Sequence, residues 1–141
     1  MTKPNPETTQ RKRAESMQAI AARLDAIDGE LIEIGRELRA AQPKRPGSIT
    51  LGFFGCGDDC LGCPHPRWQV WGRARSTDRH VRETVLVKHF VARASKRVRR
   101  TGDFAERAPI VRALIARADK LLKKRKTILA HLGAAQKALH Y

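Results

Sequence analysis

A chain of 141 residues with 29 Lys and Arg against 14 Asp and Glu, and hence a formal net charge of +15, predicts one basic domain with tails. No apolar run approaches the roughly 18 residues that a membrane-spanning helix needs, so no membrane span is expected. The positive charge indicates a polyanionic partner, above all nucleic acid. Solubility alone is the alternative, but the charge is unevenly spread: residues 14–42 have three Arg against six acids, and residues 64–101 have eleven Lys and Arg against two acids.

The first part of the chain predicts a disordered tail followed by a long helix. Residues 1–8 contain two prolines and no apolar side chain after Met1, a composition typical of disorder. From residue 9 to residue 42, apolar side chains recur at alternating intervals of three and four, which is the heptad pattern of a coiled coil. The apolar positions are Met17, Ile20, Leu24, Ile27, Leu31, Ile34, Leu38 and Ala41.

Residues 46–75 predict a β-hairpin built around metal-ligating side chains. Ser48 to Phe54 reads as a first strand and Arg67 to Arg73 as a second. Between them, all three cysteines and one histidine follow the spacing C-x3-C-x2-C-x-H: Cys56, Cys60, Cys63 and His65. Three thiolates and an imidazole are the donors of a closed, tetrahedral structural zinc site. We therefore expect one structural zinc ion at the turn of the hairpin.

Other interpretations of the cysteine cluster are weaker. A disulfide would leave one cysteine over, and the lack of an N-terminal apolar export segment favours a reducing, cytoplasmic location. The spacing C-x3-C-x2-C also occurs in radical enzymes with an iron–sulfur cluster, which need a large barrel that 141 residues cannot supply. A zinc deaminase needs a His-x-Glu triplet, which the chain lacks. Two alternatives stay open: the cysteines are free, or His80 or His89 replaces His65 as fourth ligand.

Aromatic and basic side chains are interleaved directly after the predicted metal loop. Trp68 and Trp71 alternate with Arg67, Arg73 and Arg75. In one interpretation the indoles stack on bases while the guanidiniums hold phosphates. The interpretation that we favour places both tryptophans in the small core beneath the metal loop.

Residues 84–101 predict a basic amphipathic helix. An apolar stripe of valine and alanine lies opposite a cationic face in helical projection. The cationic face comprises Arg93, Lys96, Arg97 and Arg100. Residues 81–87 are also β-branched enough to form a third strand, which would move the start of the helix to about Lys88. The cationic face either lies across a nucleic-acid groove or is simply solvated.

The C-terminal part predicts a second long helix over residues 109–140, with Pro109 suited to its first turn. Its apolar positions again follow the heptad pattern: Val111, Leu114, Ala118, Leu121, Ile128, Leu132, Ala135 and Leu139. Arg125 occupies one position of this pattern. It either sets the register of the helix pair or marks the point where the pair opens. Because the first helix is acidic and the second basic, the expected fold is mainly α: an antiparallel coiled-coil hairpin of helices with a small metal-stabilised β-hairpin inserted. Alternatively, either helix pairs with a second copy of the chain.

No catalytic set is recognisable, so the chain is predicted not to be an enzyme. It has neither a serine in a nucleophile elbow nor a G-x-x-x-x-G-K-[ST] phosphate loop. Asp58 and Asp59 could bind magnesium, but adjacent acids in a turn more often shape the loop.

The order of elements resembles a class of small bacterial proteins encoded on mobile elements beside transposases, integrases and transfer genes. The residues that carry the resemblance are Pro46-Gly47-Ser48-Ile49, Cys56-Gly57, Cys60, Cys63, His65 and Trp68. In that class the later cysteines are closer together and the histidine follows further on, before Gly-Pro, and here this chain departs from the pattern. The resemblance implies an accessory role in DNA transactions.

Together these features predict a cytoplasmic, non-enzymatic DNA-binding accessory protein of a mobile element, acting in a relaxosome or in a transposition or recombination complex. The residues predicted to contact DNA, most simply double-stranded DNA, are Arg67, Arg73, Arg75, Arg93, Lys96, Arg97 and Arg100. One alternative is an interaction module that docks a protein partner through the coiled coil, with charge steering it to an acidic surface. RNA binding is a further alternative.

Overall fold

Two long helices and a three-stranded antiparallel sheet make up the fold. The structure, a computed structural model, describes residues 3, 5–57, 59–75 and 84–139. The elements in chain order are α1 (Pro6–Ala41), β1 (Ile49–Phe54), β2 (His65–Arg75), β3 (Thr84–Phe90) and α2 (Ala108–Leu139), with short 3-10 turns at Ala94–Arg97 and Gly102–Phe104. Within these ranges, no helix combines the length and apolarity that crossing a membrane requires.

Helix α1 begins earlier than the sequence predicts. The side chain of Asn5 accepts a hydrogen bond from the backbone N–H of Glu7 at 3.1 Å, which satisfies one of the free donors of the first turn. Pro6 suits the first helical position because its backbone has no N–H to satisfy. The predicted disordered tail over residues 1–8 is therefore wrong for residues 6–8, and residues 1, 2 and 4 lie outside the described ranges.

The two helices pack side by side in opposite directions. Asp28 of α1 contacts Arg125 of α2, and nine residues further along α1 Glu37 contacts Arg117, eight residues earlier in α2. The predicted apolar positions form their interface, and those that are buried are Leu24, Ile27, Leu31, Ile34, Leu38, Val111, Leu114, Ala118, Ile128 and Leu132. The heptad patterns thus identify the packed faces correctly, while coiled-coil geometry as such stays a prediction.

The predicted β-hairpin is part of a larger sheet with the order β1-β2-β3. Antiparallel pairing places Leu51 of β1 opposite Trp68 of β2, and Gln69 of β2 opposite Phe90 of β3. Ile49, Leu51 and Trp68 are buried and belong to the same apolar core as the two helices. The sheet therefore covers the helix pair with one face and presents the other outward.

The prediction of a basic helix over residues 84–101 is wrong. Residues 84–90 form β3, and the chain then makes a single 3-10 turn at Ala94–Arg97. Strand pairing prevails because β2 supplies a hydrogen-bonding edge that continues to Val91, whose N–H donates to the carbonyl of Trp68 at 3.1 Å. The four predicted cationic residues are exposed but do not share the face of one long helix: Arg93, Lys96, Arg97 and Arg100.

Helix α1 also covers the outer edge of β1. The side-chain amide of Gln42, just beyond the end of α1, donates to the carbonyl of Ile49 at 2.8 Å and accepts from its N–H at 2.9 Å. At Gly35, an added Cβ atom would lie 3.2 Å from the carbonyl oxygen of Leu51. The helix backbone approaches the strand this closely because glycine has no side chain.

Candidate metal centre and adjoining basic surface

The loop between β1 and β2 brings the four predicted ligands together. One ligand atom from each of Cys56, Cys60, Cys63 and His65 lies within 4.8 Å of all the others. His65 Nε2 lies 3.2 Å from Cys60 Sγ and 3.5 Å from Cys56 Sγ. In a tetrahedral zinc site with the usual bond lengths, such donor atoms are about 3.5–3.8 Å apart. The four side chains are therefore close enough together to bind one metal ion.

The pairing of β1 with β2 creates this arrangement. Phe54, the last residue of β1, lies opposite His65, the first residue of β2, so the cysteine loop closes directly on the end of the sheet. His65 is held by the strand, whereas the three cysteines are in the loop. The alternative ligand His89 lies in β3 and is not part of the cluster, and His80 lies outside the described residues.

The sulfur atoms of Cys56 and Cys63 are 3.1 Å apart and share a hydrogen bond. Donation from Cys56 to Cys63 raises the pKa of the Cys56 thiol to about 12 and lowers the pKa of Cys63. The backbone N–H of Cys56 also donates to Cys63 Sγ at 3.2 Å, which further favours the Cys63 thiolate. A soft cation that replaces the shared proton would find sulfur ligands already facing one another.

Arg125 attaches the metal loop to the helix pair. Its side chain is 4% exposed, and its Nη2 donates to the carbonyls of Gly62 at 2.6 Å and Pro64 at 3.1 Å. Its Nε donates to the carboxylate of Asp28 at 2.7 Å. Both carbonyls lie within two residues of Cys63. Arg125 of α2, which also holds Asp28 of α1, therefore links the position of the cysteine loop to both helices.

The outward face of the sheet is basic and aromatic. Neighbouring residues of a strand point to opposite faces, and Trp68 points into the core with 6% exposure. Arg67, Trp71 and Arg73 therefore lie on the outward face, and Lys88 of β3 joins them opposite Trp71. The three strands contain no Asp or Glu. This face lies next to the metal loop, because His65, the first residue of β2, belongs to it.

The two tryptophans therefore have different roles. The favoured prediction, that both form the core, is right for Trp68 and wrong for Trp71, which is half-buried on the outward face. Of the predicted nucleic-acid contacts, Arg67 and Arg73 are exposed there. Arg75 ends β2, and its side chain lies outside the described part of the structure. The other four predicted contacts, Arg93, Lys96, Arg97 and Arg100, lie on the segment that follows β3 instead.

Sequence reasoning missed several residues of this surface. Lys44, Lys88 and Phe90 all contact aromatic or cationic neighbours on the outward face. The alternation of Leu86, Lys88 and Phe90 is the signal that could have identified the last two, once residues 84–90 are taken as a strand. Lys44 has no such signal because it lies in the connection before β1.

Comparison of the chain with known protein families, curated proteins and solved structures gives no match.

Proposed function

We propose that the chain is a non-enzymatic DNA-binding accessory protein with a structural zinc site. The observation that carries the proposal is the outward face of the sheet, whose strands contain cations and no carboxylate. Among the described residues, the exposed cations at this face include Arg67, Arg73 and Lys88 of the strands and Lys44 of the connection before β1. Such a surface attracts a polyanion and can neutralise several phosphates at once. The mobile-element setting, in a relaxosome or a transposition complex, rests on the resemblance of the motif residues.

Zinc would have a structural role in this function. All four ligand positions of a tetrahedral ion would be filled by protein side chains, which leaves no open position for substrate. The ion would fix the loop that joins β1 to β2 and so fix the position of Arg67, two residues after His65. The metal centre would thus orient the basic face without contacting DNA.

The experiment is a salt-titrated binding assay with double-stranded DNA, single-stranded DNA and RNA of the same length. Each phosphate neutralised on a duplex contributes about −0.9 to the slope of log affinity against log salt, so four cations account for a slope of up to about −3.6. A variant with glutamine at Lys44, Arg67, Arg73 and Lys88 should lose most of that slope. A matched control carries glutamine at Lys120, Lys123, Lys124 and Lys126, four exposed lysines of α2.

A second charge-removal variant compares the segment after β3 with the sheet. It carries glutamine at Arg93, Lys96, Arg97 and Arg100. A loss of slope in this variant as well would extend the binding surface beyond β3. Binding that is unaffected by salt, or no binding to any nucleic acid at low salt, would contradict the proposal and favour the protein-interaction module.

A further inference from the structure

On the outward face of the sheet, two lysine ammonium groups lie close to the indole ring of Trp71. Lys88 Nζ lies 4.9 Å from the centre of the indole ring, and Lys44 Nζ lies 5.4 Å from it. Both distances are within the range of a cation–π contact. Two ammonium groups therefore lie close to the ring and can also reach a phosphate next to a stacked base.

A cavity of about 280 Å³ adjoins this tryptophan. It is lined by Arg39, Gln42, Lys44, Ser48, Thr50, Trp71 and Lys88, which include three cations, two hydroxyls and no carboxylate. Among the described residues, the hydroxyl of Thr50 is the buried side-chain polar atom without a hydrogen-bond partner, and Thr50 is 4% exposed. Burying an unpaired hydroxyl is unfavourable, so a ligand oxygen that pairs with it would be favoured there.

Phe90 provides a second aromatic group on the same face. It is 50% exposed, its ring contacts the ring of Phe54 edge-on with centroids 5.1 Å apart, and the guanidinium of Arg67 lies 3.7 Å from its ring centre. Trp71 lies opposite Lys88, so Phe90 is one strand across and two residues along from it. Strand geometry puts the two backbone positions about 8 Å apart.

We propose that this face binds an unpaired stretch of nucleic acid, with one phosphate in the cavity, one base stacked on Trp71 and a neighbouring base on Phe90 or on the guanidinium above it. The proposal rests on the proposed function and narrows its ligand to unpaired nucleotides. Successive bases of a duplex strand are stacked about 3.4 Å apart, less than half the separation of about 8 Å between the two backbone positions. Unpaired bases can be splayed onto aromatic side chains of an open sheet.

The test compares oligonucleotides of one length, using the natively purified full chain. The probes are a single DNA strand, the same strand with abasic sites, the same strand annealed to its complement as a blunt duplex, and the corresponding RNA strand. We expect the single strand to bind more tightly than both the abasic strand and the duplex. Equal affinity for the DNA strand and the RNA strand would show that stacking and phosphate contacts dominate. A difference in affinity would identify whether the natural ligand contains deoxyribose or ribose.

Variants locate the binding to the named residues. Trp71→Leu should weaken single-strand binding about 5-fold or more, since a base–aromatic stack is worth about 1–3 kcal/mol, while Trp71→Phe retains a ring and should lose less. Thr50→Val keeps the side-chain shape and removes the hydroxyl, so affinity should fall while the melting temperature stays the same or rises. The control Lys123→Gln removes one exposed charge from α2 and should leave the preference for single strands unchanged.

The outcomes separate this proposal from the broader one. Salt-dependent binding that is equal for single strand, abasic strand and duplex, with Trp71→Leu at wild-type affinity, would overturn the stacking site and leave the DNA-binding proposal standing. If the Leu variant does not fold by circular dichroism, Trp71→Phe, Thr50→Val and the abasic strand still decide the question. Absence of binding to every probe at low salt would overturn both proposals.

Discussion

The guanidinium of Arg125 and the carboxylate of Asp28 connect the two long helices at the point where the cysteine loop is attached. Arg125 Nε lies 2.7 Å from Asp28 Oδ1, and Nη2 of the same guanidinium donates to the carbonyls of Gly62 and Pro64. One buried side chain therefore contacts α1 and the metal loop from its position in α2.

Replacing Arg125 with methionine should destabilise the protein strongly. Methionine fills similar space but leaves Asp28 and two carbonyls without their donor, and breaking a buried charge pair typically costs about 3–5 kcal/mol. The matched control is Arg117→Met, which removes an exposed pair with Glu37 at 3.6 Å and should cost at most about 1 kcal/mol. Urea unfolding of both variants measures the difference, and equal losses would show that the Arg125 contacts are not what holds the loop.

Natively purified protein should contain about one zinc per chain, because the four ligand side chains complete one tetrahedral site. His65→Asn should lower the zinc content, whereas His131→Asn, an exposed histidine of α2, should not. A chelator should loosen the loop between β1 and β2 while the helical circular-dichroism signal persists. Elemental analysis that finds no metal in wild-type protein would contradict the structural zinc site.

Zinc binding should release protons and weaken as the pH falls. The hydrogen bond to Cys63 raises the pKa of Cys56 to about 12, so this thiol is protonated near neutral pH and its proton must leave when a cation binds. Each proton released makes the affinity rise about tenfold per pH unit below the pKa of the group. Isothermal titration in buffers of different ionisation enthalpy counts the protons, and Cys56→Ser should release about one fewer. A zinc affinity that stays the same between about pH 6 and about pH 8 would contradict this prediction.

A carboxylate placed in the helix interface should prevent normal packing. Leu31 is fully buried between the helices, and Leu31→Asp would put an unpaired charge there, at a cost of several kcal/mol. The control is its neighbour Ile32, which is 43% exposed and should accept aspartate with little loss. Thermal melts of the two variants should therefore differ by many degrees. Similar melting temperatures would mean that the helices are not packed through these positions.

Adding one methyl group at Gly62 should weaken zinc binding. A Cβ atom there would lie 3.0 Å from Cε1 of the ligand His65 and 3.2 Å from a methyl group of Leu129 in α2. Gly62→Ala therefore pushes the ligand loop away from the histidine, the helix or both. Gly55→Ala is the control, because an added Cβ meets nothing within 4 Å. Competition with a zinc indicator dye measures both affinities, and equal values would show that the loop absorbs the methyl group.

The helices and the clustering of three cysteines with a histidine were predictable because their signals are local. Heptad spacing depends only on neighbours along the helix, and the positions of Leu31 and Ala118 follow directly from it. These four side chains lie within ten residues, so their spacing alone indicates that a loop can bring them together. The partners of Arg125 were not predictable, since Asp28 is 97 residues away and Gly62 is 63 residues away along the chain.

The segment after residue 84 was mistaken for a helix because its valines fit two periods. Val87 and Val91 are four residues apart, which agrees with a helix and equally with a strand. The choice depends on β2, whose free edge pairs with residues 84–90 and cannot be seen in a local window. Once that strand forms, Lys88 and Phe90 are brought beside Trp71 and Arg67, a grouping that no helical projection contains.

The contact of Gln42 with Ile49 has a consequence for self-association. An amide side chain that both donates to and accepts from one backbone residue occupies the groups with which an incoming strand would pair. The close approach of α1 at Gly35 obstructs the same edge further along. Edge-to-edge polymerisation, which requires each sheet to offer two open sides, is therefore blocked at β1, and joining through β3 alone would stop at a pair of molecules.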